Sequence, residues 1–351
     1  MIENFSEVAE EAAAQAKAVG EHVLAAIDRP YSIENREYLL TASIGITVFG
    51  SRQKSVDDVL QQADIAMDQA KAAGRNTMRF FSPALQTAVN ARAAMEVELR
   101  QAIKTNQFEL YYQPQVERGR VTGAEALIRW NHPTRGLVLP GEFIPLTEES
   151  RLILPLGEWV LDTACEQIAA WASHKETARL IVAVNISALQ FRQPEFVDQV
   201  VAALARTGAN PKNLRLELTE SMLADNIEEV IAKMTQLRLH GIRFSLDDFG
   251  TGYSSLAYLK RLPLDCLKID RSFVRDILID STSGAIAQTI ISLGRAMALS
   301  VIAEGVETEE QRNLLAGLGC HSFQGFLFSR PVPLEQLEPL LHLSAKIRKP
   351  R

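Results

Sequence analysis

From about Leu85 onward, short apolar runs of strand character alternate with amphipathic runs of helical period, and this alternation constrains the fold more than any other feature. Alternating strands and helices imply an α/β protein whose sheet is covered by helices. The strand-like runs are Phe108–Val116, Ala124–Trp130, Arg179–Ser187, Leu214–Thr219, Ile242–Phe249, Leu264–Ile269, Ser300–Val306 and Ser322–Phe328. Eight strands with helices between them over roughly 250 residues match the size of a (β/α)8 barrel. In Asn226–His240, Ile227, Val230, Ile231, Met234 and Leu237 follow the i, i+3, i+4 spacing, and Gly241 stands where a C-cap is wanted.

One connection departs from the pattern. Only Glu117-Arg118-Gly119-Arg120 and a few neighbours separate the first run from the second. A parallel crossover needs about a dozen residues or more, whereas an antiparallel hairpin needs only a few. The first barrel strand is therefore predicted to run antiparallel to the second, giving a modified barrel.

The chain has 351 residues, a net charge of −6 and 47% hydrophobic residues, which excludes intrinsic disorder. Cys165, Cys266 and Cys320 lie far apart and outside any CxxC spacing, so a disulfide framework is disfavoured and a cytoplasmic location expected. No uncharged apolar run approaches the roughly 18 residues of a membrane span. Met1-Ile2-Glu3-Asn4 lacks the basic and apolar regions of a signal peptide. The acidic balance argues against direct nucleic-acid binding, and no membrane binding is expected. It leaves room for a small anionic ligand, because a local site can invert the global sign.

Residues 1–84 read separately, as a helix (Glu7–Ile27), a strand pair (Tyr31–Ile33 and Tyr38–Phe49), a helix (Val56–Ala73) and the apolar segment Met78–Phe81. Ser82-Pro83-Ala84 marks the expected boundary, followed by a connecting helix, Leu85–Lys104. The barrel unit is thus expected over 85–351.

The chemistry concentrates in the strands. Glu125 lies in the second, Asn185 closes the third, Glu217 lies in the fourth, Asp247 and Asp248 end the fifth, Lys268 lies in the sixth and Glu304 ends the seventh. Barrel enzymes gather catalytic groups from the C-terminal ends of several strands. Acids inside apolar strands are costly unless paired or bound to metal. Two divalent cations together with Lys268 would neutralise the five carboxylates, and hard oxygen ligands suit Mg²⁺ or Mn²⁺ rather than zinc. One carboxylate of the Asp247-Asp248 pair could bridge ions about 4 Å apart while the other holds the second ion, as in two-metal phosphoryl transfer. Surface salt bridges at strand ends are the competing explanation. Asp247 to Leu256, with two glycines and Ser254-Ser255, reads either as a metal-bearing loop or as a plain βα turn. Arg129 shares a strand face with Glu125 and either holds a phosphate oxygen or pairs with that glutamate.

Taken together, these motifs resemble the EAL domain, the bacterial cyclic di-GMP phosphodiesterase family. Glu125-Ala126-Leu127 with Arg129 matches E-A-L-x-R, Asn185 sits in N-x-S, and Glu217 opens E-x-T-E. Asp247-Asp248 begin D-D-F-G-T-G, Lys268 begins K-I-D, Glu304 and Glu307 form E-G-V-E, Gln324 belongs to Q-G, and Tyr112-Gln113-Pro114 matches Y-Q-P. The resemblance covers about residues 85–343. It implies a modified TIM barrel with the first strand antiparallel and metal-dependent hydrolysis of cyclic di-GMP to linear pGpG. By the same resemblance, Glu125, Asn185, Glu217 and Asp247 hold a first ion. Asp247 and Asp248 hold a second, supported through water by Glu304 and Gln324. Ca²⁺ is expected to inhibit.

Lys268 and Glu304 are the candidates for orienting or deprotonating the attacking water. Glu220 and Glu307 are expected to buttress the mobile loop, and Gln113 and Asp270 to line the substrate pocket. A homodimer through the barrel is a family expectation. Non-catalytic binding of cyclic di-GMP, read out through a dimer or partner, is the alternative function.

In the N-terminal block, Ser43-Ile44-Gly45-Ile46, Ala63-Asp64-Ile65-Ala66-Met67, Ala70-Lys71 and Gly74-Arg75-Asn76 resemble the C-terminal half of a GGDEF (diguanylate cyclase) domain. Asp68 stands where that family usually has Tyr. The G-G-D-E-F hairpin does not occur in this sequence, so no cyclase activity is expected of it.

Overall fold

A computed structural model describes residues 5–33, 36–38, 40–50, 55–223, 226–250 and 256–343. The chain divides into two compact units, Met1–Leu99 and Arg100–Arg351, a division falling inside the helix Pro83–Lys104.

In the first unit, helix Ala9–Ile27 precedes β1 (Tyr31–Ile33) and β2 (Arg36–Tyr38), which pair antiparallel. β3 (Ile44–Ile46) pairs in parallel with β4 (Met78–Phe80), and helix Val56–Ala72 connects them. The expected single strand Tyr38–Phe49 is therefore two strands in different sheets. Alternation of Ile44, Ile46 and Val48 revealed the face of β3, but its partner lies across a helix and leaves no local trace. Gly45 is required here, because a Cβ would overlap Ala63 O and the Met67 backbone of the covering helix. Ala13, Phe80 and Val89 form a small buried cluster.

The second unit is a closed barrel. Its strands are β5 (Phe108–Glu117), β6 (Arg120–His132), β8 (Ile181–Asn185), β9 (Leu214–Thr219), β10 (Arg243–Phe249), β11 (Cys266–Ile269), β12 (Ser300–Ala303) and β13 (Ser322–Phe323). A short β7 (Gly136–Val138), too brief to show in the sequence pattern, adds to β6 as a hairpin. β5 runs antiparallel to both neighbours, β6 and β13, while the other barrel pairs are parallel. Two residues make the β5–β6 turn, Arg118 at φ 49° and Gly119 at φ 76°, both left-handed as a type I′ turn requires. The hairpin predicted from spacing is present.

Helices cover the outer faces of the strands. Helix Ile227–Leu239 buries Val230, Met234 and Leu237, and Gly241 follows it at φ 96°, the left-handed conformation that ends helices. The continuous core contains Leu216, Leu218, Phe244, Leu246 and Leu267 with helix residues such as Phe196 and Met234.

One irregularity bears on function. Leu246 pairs with Leu267 and Phe249 with Ile269, so Asp247 and Asp248 together oppose Lys268 alone. This is a β-bulge, and Asp248 has φ 53° within it. In a regular strand adjacent side chains leave on opposite faces. The bulge frees the two aspartates from that rule.

No helix among the described residues is long and apolar enough to cross a membrane.

Candidate active site

Closure of the barrel brings Glu125 from β6, Glu217 from β9, Asp247 from β10 and Glu304 after β12 around the ammonium of Lys268 from β11. Lys268 Nζ lies 2.5 Å from Glu217 Oε2, 3.1 Å from Asp247 Oδ2, 2.5 Å from Glu304 Oε1 and 3.5 Å from Glu125 Oε2. Its contacts with Glu217 and Asp247 are hydrogen bonds. That with Glu304 is a charge contact without hydrogen-bond direction, leaving Glu304 Oε1 buried and lacking a donor.

Both oxygens of Glu125 are occupied. Oε1 accepts from Asn185 Nδ2 at 2.5 Å and Oε2 from Gln324 Nε2 at 2.5 Å. Asn185 and Glu217 are register partners across β8 and β9. Ser245 Oγ donates to Glu217 Oε1 at 3.2 Å.

The electrostatics follow from burial and crowding. Burial opposes a charge on Lys268, but the carboxylates around it outweigh that cost and hold its pKa well above the ordinary lysine range. Burial raises Glu217, and with the Glu125 and Asp247 charges it pushes that carboxyl up to about 8 despite Lys268. Glu304 is likewise driven well above the carboxylate range, chiefly by burial. Burial also acts to raise Glu125, yet Lys268 and the hydrogen bonds from Gln324 and Asn185 prevail and hold it below the usual value. Asp248 rises to about 6 through burial and the neighbouring Asp247 and Asp270.

The cluster thus holds more carboxylates than Lys268 neutralises. Among the described residues no three acid, His or Cys side chains surround a common point as a ready metal cage. Lys268 occupies the space between them. Hard oxygen donors in excess, a carboxylate oxygen without a donor and protons retained by burial are nevertheless the chemistry of a site that accepts divalent cations.

The remaining predicted residues fall into three groups. Gln113 lies opposite Glu125 in the β5–β6 register, its Oε1 accepting from Gln324 Nε2 at 3.0 Å. Glu220 reaches the root of the loop after β10, where Oε2 accepts from Gly250 N at 3.0 Å. Asp248, Asp270 and Glu307 line a cleft of about 690 Å³ with Arg271 and Arg275. Asp270 caps the next helix through Ser272 N at 2.9 Å, and its carboxylate is hydrogen-bonded to that of Asp248. Arg129 is buried; Nη1 donates to Ile128 O at 2.8 Å and the guanidinium lies 5.4 Å from the Tyr111 ring centre. Thr251 to Ser255, the glycine-serine part of the expected loop, lie outside the described residues.

Sequence reasoning missed Gln115, buried beside this cluster with Nε2 donating to Gln324 Oε1 at 3.1 Å. The available signal was its place two residues after Gln113, on the same strand face. It also missed Arg271 and Arg275, since exposed arginines on a short helix look like ordinary surface.

A barrel with one reversed strand thus carries carboxylates, an asparagine and a lysine together at its mouth. The EAL domain model matches residues 96–331, and the chain belongs to the EAL domain family. The diguanylate cyclase GGDEF domain model matches residues 4–77. The chain is 44% identical over 326 residues to the bifunctional diguanylate cyclase/cyclic di-GMP phosphodiesterase MucR of Pseudomonas aeruginosa, covering 92% of this chain and 47% of that protein. It is 42% identical over 331 residues to the cyclic di-GMP phosphodiesterase NbdA of the same organism, covering 93% and 42%. It therefore spans under half the length of these relatives. Among solved structures, the PaMucR phosphodiesterase in complex with c-di-GMP superposes with a TM-score of 0.67 at 48% identity, over 69% of this chain and 99% of that one. The EAL enzyme Bd1971, bound to cAMP and cyclic di-GMP, gives 0.70 at 35% identity over 83% and 77%.

Proposed function

We propose that this chain hydrolyses one phosphodiester of cyclic di-GMP to linear pGpG, using Mg²⁺ or Mn²⁺, with residues 85–351 as the catalytic barrel and 1–84 as a partial GGDEF-like unit. The observation that carries the reading is the convergence of Glu125, Glu217, Asp247 and Glu304 on Lys268 from five different strands or strand ends. The names of the relatives, two of them cyclic di-GMP phosphodiesterases, supply the substrate class.

Glu125, Asn185, Glu217 and Asp247 would hold one cation, and Asp247 with Asp248 a second. When bound, the cations supply charge neutralisation at the phosphodiester and a lowered pKa for water there. The chain's own groups do the rest. Lys268, fully enclosed, stays protonated and presents positive charge to the phosphate side of the mouth. Glu304, whose Oε1 lies beside Lys268 Nζ, orients the attacking water together with that lysine. Glu220 fixes the start of the loop that carries Asp248 through Gly250 N–H. Asp270 and Asp248 border the cleft that would admit the nucleotide, and Arg129 on β6 and Gln113 on β5 are the further substrate-binding candidates. Self-association through the barrel belongs to the same reading and is tested by light scattering across concentration.

The test is turnover. Purified protein with Mg²⁺ is expected to convert cyclic di-GMP to pGpG, with cyclic di-AMP left intact and Glu125→Ala abolishing product. Turnover that survives Glu125→Ala overturns the site. Tight binding of cyclic di-GMP with no product in Mn²⁺ would establish a receptor instead.

A further inference from the structure

Three glutamine side chains stand in line behind Glu125, and their hydrogen bonds have a single polarity. The line starts at Ser329 O, a backbone carbonyl that can only accept. Gln113 Nε2 donates to it at 3.1 Å. That leaves Gln113 Oε1 to accept, which it does from Gln324 Nε2 at 3.0 Å. The same nitrogen donates to Glu125 Oε2 at 2.5 Å, another group that in its ionised form only accepts. Gln324 Oε1 then points away from Glu125 and accepts from Gln115 Nε2 at 3.1 Å. All three amides are buried. Reversing any one of them would set oxygen against oxygen or nitrogen against nitrogen.

We infer that Gln115 is a positioning residue, which holds the Gln324 amide with its nitrogen toward Glu125 and so fixes that carboxylate in the orientation a metal ligand needs. The hydrogen bond of the Gln115 amide goes to Gln324, and Gln115 is not among the residues lining the cleft beside Asp248; it acts through Gln324. An amide flip costs little when both ends lack partners and much when each end is already committed. Ser329 secures one end of the line and Gln115 the other. The Ser329 end is itself anchored, since Val332 and Tyr112 exchange backbone hydrogen bonds of 2.7 and 3.0 Å three residues further on. Partners beyond the ligands themselves commonly govern metal affinity by about 10–100-fold.

This inference rests on the metal reading given above, and its test separates the two. The probe is Mn²⁺ alone, followed by loss of the free-ion electron paramagnetic resonance signal, on the full chain. Gln115→Leu is expected to weaken Mn²⁺ binding about tenfold, and Gln324→Ala to weaken it comparably. The double variant should lose no more than Gln324→Ala alone, because Gln115 acts only through Gln324. Gln115→Met, which keeps size but removes the donor, should reproduce the loss with a melting temperature close to that of Gln115→Leu. Losses that add in the double variant, or wild-type affinity in Gln115→Met, overturn the inference. Wild-type protein that binds no Mn²⁺ overturns the metal reading, and side-chain amide exchange by nuclear magnetic resonance then decides the relay. Gln324 protons slow in wild type and fast in Gln115→Leu support it; equal rates refute it.

Discussion

Lys268 and Glu217 meet in a hydrogen bond sealed from solvent, Nζ 2.5 Å from Oε2 with neither side chain exposed. A buried ammonium is costly to assemble with its carboxyl partners, and removing a partner is costlier, because the survivor keeps its desolvation penalty. Here the lysine serves several carboxylates at once. Its removal strands more charge than an ordinary pair would.

Lys268→Met is therefore expected to destabilise the protein by about 3–5 kcal/mol, the range for breaking a buried pair. Urea unfolding at pH 8 checks this. Excess Mg²⁺ should recover a large part of the loss, while hydrolysis should not return. Unchanged stability in the absence of metal would show that the carboxylates are not crowded as described.

The raised carboxyl of Glu217 makes stability depend on pH in a definite direction. Its pKa is about 8 folded against an ordinary value of 4.5, so the folded state holds a proton that the unfolded state releases. That contribution is complete below 4.5 and is lost as pH rises through about 8. Melting temperature without metal should therefore fall between pH 4.5 and about 8 and level off above that. Glu217→Gln should flatten the profile, and a profile equally steep in the variant would assign the effect elsewhere.

Asp248 occupies left-handed backbone at φ 53°, where Asp and Asn are tolerated and β-branched residues are not. Asp248→Asn should fold with near-native stability and lose most activity. Asp248→Val should in addition lose about 1–2 kcal/mol from backbone strain. Equal stability of the two variants would mean the bulge relaxes.

Glu220 carries the Gly250 N–H, a charge-assisted hydrogen bond at 3.0 Å. Glu220→Ala should cost about 1.5–3 kcal/mol. It should lower turnover more than Mn²⁺ affinity, since the hydrogen bond it supplies holds the loop at Gly250. A matched fall in both would place Glu220 closer to the cations than its geometry indicates.

Much of this was legible before any coordinates. The short stretch between Val116 and Ala124 allowed only a hairpin, and so reversed β5 whatever the rest of the chain did. Isolated acids within apolar strands (Glu125, Glu217, Asp247) marked the mouth, because burying a carboxylate without compensation is too costly to be incidental. In the N-terminal unit the same local reasoning found β3 but misjudged its extent and partner, since pairing across a helix leaves no periodicity.

What the tertiary structure alone decided are relations between residues far apart in the chain. Glu125 and Gln324 are 199 positions apart, and only closure of β13 onto β5, which pairs in turn with β6, brings their side chains together. The bulge that sets Asp247 and Asp248 against Lys268 arises from register between β10 and β11, which strand-by-strand patterning does not contain. The polarity of the Gln113, Gln324 and Gln115 amides depends on a carbonyl, Ser329 O, whose position is set by the closed barrel. Residue type and strand period determined which groups this chain commits to its mouth. Barrel closure determined which of them meet, because hydrogen bonds and ion pairs act over a few ångströms and only the folded chain sets those distances.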